Sequence, residues 1–205
     1  MNLKILYMLL IVIVFLVKIF SQELQSKKES DYKILEDKYL PLDLVKIGGE
    51  YLTLESIEWS FHCRISRGQN YGSKERLVVI YKKFNDSLFY KYLFPSDSAL
   101  SDYIQPNIST SNLDIPMKVY NGYINPDTNF CKLVNDISNY EIPLIYDTPG
   151  LVLDAVNYEC RIQNNGEKIY FKLNSYKREK KKIILWIEKV EERILQLIKN
   201  KEACK

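Results

Sequence analysis

Histidine occurs once in the 205 residues, as His62, and that scarcity removes most metal chemistry. A zinc-protease helix and a facial iron triad each need two histidines. Glycine and proline number 7 each, too few for a collagen-like or low-complexity chain. No Gly-x-Ser-x-Gly elbow, no P-loop and no Gly-x-Gly-x-x-Gly fingerprint is present. The four cysteines form no Cys-x-x-Cys pair. Their separations of 68, 29 and 44 are unlike the short ligand pairs of a zinc site. A dominant charge is missing too: 29 basic side chains face 26 acidic ones. No cofactor and no catalytic residue is implied. Carboxylates are plentiful, but nothing in their spacing singles out a glycosidase-type pair.

One long apolar run is present, which excludes a polytopic membrane protein. Residues 5–17 are apolar, with Lys4 before them and Lys18 after. Thirteen residues suit a signal peptide, whose apolar region spans about 7 to 15, better than a membrane span of about 20. Ile19-Phe20-Ser21 offers a cleavage site before Gln22. The alternative is an uncleaved anchor whose flanking lysines snorkel. Residues 1–21 therefore read as a signal peptide or anchor and residues 22–44 as a polar lead-in. Residues 45–205 read as a β-rich domain. Either treatment of the leader places residues 22–205 outside the cytoplasm, secreted or periplasmic in the first case and membrane-anchored in the second.

Cys63, Cys131, Cys160 and Cys204 all lie beyond the leader. An even count in an oxidising compartment suggests two disulfides. Three connectivities exist, with Cys63–Cys131 and Cys160–Cys204 preferred over Cys63–Cys160. Asn85 and Asn107 head Asn-x-Ser sequons, glycosylation sites only in a eukaryotic source.

Period-two alternation marks strands. Ile57, Trp59, Phe61, Cys63 and Ile65 share one face, and Glu58, Ser60, His62 and Arg64 the other, so this strand reads as half-buried. Residues 77–84 and 87–94 flank Asn85-Asp86 as a hairpin. A Ser-, Asn- and Pro-rich loop follows over 95–116. Strands resume at 117–124, 142–146 and 151–162, and Asn164-Asn165-Gly166 turns the last into 168–173.

Two stretches resemble each other. Phe61-His-Cys-Arg-Ile matches Tyr158-Glu-Cys-Arg-Ile, and each precedes an Asn-x-Gly-x-Lys turn and a strand. They read as two related hairpins, each with an inward Cys and an outward Arg.

At the C-terminus, Ile183, Ile187, Val190, Ile194 and Leu197 recur at spacings of 4, 3, 4 and 3, the stripe of an amphipathic helix. Glu188, Glu191, Glu192 and Arg193 are assigned to its solvent side. The fold class expected is α+β: a mainly antiparallel sheet or barrel closed by a C-terminal helix.

Charge is uneven. Residues 177–205 hold 10 basic and 5 acidic side chains. Lys177, Arg178, Lys180, Lys181 and Lys182 oppose the helix dipole, so local stability does not explain them. They form a candidate binding cluster for an anionic surface or acidic partner. Nucleic acid is not expected outside the cytoplasm. The 16 tyrosines suit recognition surfaces. These features favour a non-enzymatic protein-binding module: a secreted effector, inhibitor or immunity-type protein. The alternatives are a barrel-type carrier of a small apolar ligand and a carboxylate-dependent hydrolase.

Overall fold

The structure is a computed structural model. It describes residues 3–42, 46–47, 50–51, 57–67, 74–83, 87–104, 110–125, 128–139, 156–165, 167–175 and 181–203. For residues 3–11, 46, 47, 50, 51, 67, 111, 138, 139 and 181 the backbone alone is described.

The fold is α+β. Helix α1 (Leu3–Tyr39) leads to a short strand pair, β1 (Lys46–Ile47) and β2 (Glu50–Tyr51). Strands β3 (Ile57–Arg67), β4 (Arg76–Lys83), β5 (Leu88–Pro95) and β6 (Met117–Ile124) follow. Helix α2 (Asn129–Asn135), strands β7 (Val156–Asn164) and β8 (Glu167–Asn174) and helix α3 (Lys181–Ala203) complete the chain. Six strands form one antiparallel sheet in the order β6-β5-β4-β3-β7-β8. Among the described residues it is an open sheet, not a barrel, with β6 and β8 at its edges.

The expected strands at 57–65 and 117–124 are present, as are both hairpins. Asn165 holds φ at 46° in the β7–β8 turn, a left-handed conformation that asparagine tolerates. The strand expected at 142–146 and the first residues of the one expected at 151–162 lie outside the described residues.

Helix α3 covers one face of the sheet. Ile187, Val190 and Ile194 are fully buried against Phe61, Cys63, Ile65, Val78, Ile80, Cys160 and Phe171. Trp186 joins them, edge-on to Phe61 at 4.9 Å between ring centroids. On this same face, near the β6 edge, the Tyr90 ring lies across Gly122, its register partner. A Cβ there would come within 2.6 Å of the ring, which accounts for the glycine.

Most of the expected polar lead-in is helical and continuous with the leader, because α1 runs unbroken for 37 residues. Every residue from 12 to 30 is exposed, and Val12 to Val17 are 47–64% exposed. From Tyr32 the same helix docks on the sheet's other face, where Leu35 and Leu40 are fully buried among Leu77, Val79, Leu100 and Ile115. The segment 95–116 supplies Leu100 and Ile115 to that cluster, so much of the expected loop is a packed strap. Among the described residues no helix is long and apolar enough to cross a membrane.

Strand β3 is therefore covered on both faces instead of being half-buried. Its register shifts between Ile57 and Trp59. That bulge puts Ile57 in the α1-side cluster, while Trp59 packs on the α3 side.

Candidate functional site

The repeated Cys-Arg-Ile strands are β3 and β7, which lie side by side and antiparallel. Cys63 pairs directly with Cys160, Phe61 with Ile162 and Ile65 with Tyr158. A local two-fold axis thus passes between the two cysteines and relates the β3–β4 hairpin to the β7–β8 hairpin. The cysteines point into the α3-side core and the arginines to the other face.

Those arginines are not solvent-facing as the alternation suggested: Arg64 is 1% exposed and Arg161 0%. Both are buried because α1 docks over them. Arg64 donates from Nε and Nη2 to the Leu40 carbonyl, at 3.0 and 2.8 Å, just past the end of the helix. It also donates to Asp37 at 2.8 Å, Glu159 at 2.9 Å and Glu36 at 3.3 Å. Arg161 donates to the Leu42 carbonyl at 2.7 Å. The two repeat arginines thus grip the Leu40 and Leu42 carbonyls, two residues apart where the chain leaves α1.

Three carboxylates converge on Arg64, the clustering a carboxylate-dependent hydrolase would need. Burial pushes the Glu36 carboxyl up, against the pull of the Arg64 charge. Burial acts the same way on Glu159, but hydrogen bonds and charge from Lys172 and Lys33 outweigh it and hold that carboxyl at about 2. Separated carboxyl pKa values can mark an acid–base pair. Here Glu36 and Glu159 both receive the same Arg64 nitrogen, and Arg64 is bound to the α1 terminus. The arrangement fastens a helix to a sheet.

His62, read as an exposed polar-face residue, is buried at 1% and sits across from Arg161 in the register. Glu191 is a second correction. Assigned to the solvent side of α3, it is buried, accepting hydrogen bonds from Arg76 through both oxygens and from Tyr92 Oη at 2.8 Å. Tyr158 likewise donates to Glu188 at 3.1 Å. The stripe is apolar by pattern, but its flank carries a polar clasp because strand tyrosines reach it.

The Cys63 and Cys160 sulfurs lie 3.1 Å apart, both buried. Cys131 sits on α2, half-buried, its Sγ 3.8 Å from Asn135 Nδ2. None of the three described cysteines stands at disulfide distance, and the two whose sulfurs face each other are Cys63 and Cys160, the pairing ranked second. Cys204 lies outside the described residues. So do Asn85 and Asn107, and Lys177, Arg178 and Lys180 of the basic cluster. Lys181 opens α3 with its backbone alone described, and Lys182 is exposed.

Two surface features remain. An open groove of about 410 Å³ lies between α2 and α3, lined by Lys132, Asp136, Lys189, Glu192 and Arg193 with Asn129 and Leu133. Its mixed charge defines no ligand. The second feature is a row of aromatics on the α1 side of the sheet. Tyr81, Phe89 and Tyr123 are in direct register across β4, β5 and β6. Tyr81 stacks on Phe89 at 5.3 Å and Phe89 meets Tyr123 edge-on at 5.6 Å. The row runs from buried Tyr81 to Tyr123, 51% exposed on the edge strand, beside Val119 at 42%. Tyrosine abundance hinted at such a surface. Its location depended on strand order, which the sequence does not display.

No family model, no curated protein and no solved structure matches this chain.

Proposed function

We propose that this chain is a non-enzymatic protein-binding module acting outside the cytoplasm, with edge strand β6 and its aromatic row as the contact surface. The observation that carries this reading is the exposure of Tyr123 and Val119 on an edge strand. Among the described residues no strand pairs with the outer edge of β6, and one of its carbonyls, Asn121, accepts a hydrogen bond from Lys201 of α3 at 3.2 Å. An unpaired strand edge favours an extended partner segment, which would gain backbone hydrogen bonds and lay alternate side chains on Val119 and Tyr123. The opposite edge strand, β8, carries Glu167, Lys168 and Lys172, charges that oppose strand addition, whereas β6 carries Lys118 alone.

The apolar leader supports the extracytoplasmic part of the reading. From Val12 to Phe20 it is exposed, and the domain takes up the helix only from Tyr32. Cleavage or insertion into lipid would leave that docking intact.

The experiment is site-specific photo-crosslinking from position 123 on β6 and position 168 on β8, in cells producing the full chain. A discrete adduct from position 123, absent from position 168 and lost in Val119→Lys, supports the reading. Equal adducts from both edges, or none, overturn it.

A further inference from the structure

We propose that Cys63 and Cys160 are the pair this chain oxidises to a disulfide, one bond at the centre of the sheet joining its two repeated hairpins. Three observations converge on it. The residues are direct register partners in the β3–β7 ladder. Opposed residues of an antiparallel pair keep their Cα atoms about 4.5–5.5 Å apart, within the range a disulfide spans. Their sulfurs already face one another at 3.1 Å inside the α3-side core, so closure needs a small side-chain rotation and no strand movement. They also occupy the same position in each repeat, on the local two-fold axis, where equivalent side chains must meet.

The bond forms by thiol–disulfide exchange. The two thiols give up two protons and two electrons. A disulfide oxidant, protein or glutathione, accepts them and leaves as two thiols. Burial pushes the Cys160 thiol well up, with Cys63 beside it adding to the effect. The folded Cys160 thiol therefore resists becoming the attacking thiolate, and both sulfurs are shut inside the α3-side core, which places exchange before α3 closes over the sheet.

The inference rests on the extracytoplasmic reading only for the source of oxidant, so the test supplies its own. The full chain, purified in detergent, is unfolded and refolded in oxidised or reduced glutathione, alkylated and mapped by peptide mass. A Cys63–Cys160 link with Cys131 alkylated is the expected result. The oxidised form should melt about 5–15 °C above the reduced form, since the bond closes a long loop. That difference should vanish in Cys63→Ala and Cys160→Ala and persist in Cys131→Ala. Free thiols at both positions after oxidative refolding overturn the pairing, as does a link from either to Cys131 or Cys204. A link formed on refolding but absent from protein taken from cells supports the pairing and overturns the export reading instead.

Discussion

The two faces of the six-stranded sheet are covered by helices that hold on by different chemistry. On the α3 face, Ile187, Val190, Ile194 and Trp186 fill an aliphatic and aromatic layer. Its polar component, Glu191 with Arg76 and Tyr92, sits at the flank. On the α1 face, Leu35 and Leu40 anchor a smaller apolar cluster. Beside it Arg64 holds three carboxylates and a backbone carbonyl. Apolar burial is non-directional and tolerates small shifts. A buried charge network is directional, and removing one member leaves the others exposed to the low dielectric. The α1 face should therefore be the more specific attachment and the more sensitive to pH.

The largest effect is expected from a charge on the apolar face. Val190→Asp buries an unpaired carboxylate at a fully buried position, and it should cost about 4 kcal/mol or more. A melting temperature within a degree or two of the parent would show that α3 is not a packing element.

Arg64→Ala comes next, at about 3–5 kcal/mol, because Glu36 and Glu159 lose their shared cation. The decisive readout is local. Amide exchange in residues 31–40 should accelerate while α3 stays protected. Uniform acceleration would mean the two faces are one cooperative unit.

Acid should act on the α1 face by a comparable or smaller amount. The folded Glu159 carboxyl titrates at about 2, below its ordinary value of 4.5. Between these values the unfolded chain binds more protons, so stability rises with pH. Falling pH should remove on the order of 2–3 kcal/mol across that window. Glu36, pushed upward, works in the opposite sense above pH 4.5. Denaturant midpoints between pH 2 and 6 test this, and Glu159→Gln should flatten the lower limb.

Glu191→Gln keeps the shape of the α3 clasp and removes its charge. A loss of about 1–2 kcal/mol is expected, since Arg76 keeps an acceptor without an ion partner. Glu191→Lys should cost more by placing two cations together. A neutral result for both would return Glu191 to the solvent side. The smallest stability change belongs to Val119→Lys on the edge strand, within about 0.5–1 kcal/mol, so that any loss of adducts from position 123 reads as lost contact.

The α3 face was largely legible in the sequence. Spacings of 3 and 4 place Ile183, Ile187, Val190 and Ile194 on one stripe whatever they pack against. Period two likewise separated Cys63 from Arg64 on β3. The α1 face was not legible. Arg64 and Arg161 look like solvent-facing residues in an alternating strand, and only the docked helix end makes them interior. Glu191 failed for the same reason: helical phase places it beside the stripe, but Arg76 and Tyr92 come from distant strands. The aromatic row was half legible. Tyr81, Phe89 and Tyr123 were visible as strand aromatics, while their alignment required the register of three strands.

Local periodicity by itself determined the α+β class, the extent of most described strands, the two repeated hairpins and the apolar stripe of α3. Those properties follow from backbone geometry, which repeats every 2.0 or 3.6 residues and needs no partner. Tertiary structure alone decided that the sheet stays open and that α1 continues from its apolar leader into the core. It also decided that the repeat's cysteines meet on an axis and that its arginines become buried clamps. Each of these depends on which surfaces are brought together across long sequence separations. Burial is what changes the chemistry of a charge or a thiol.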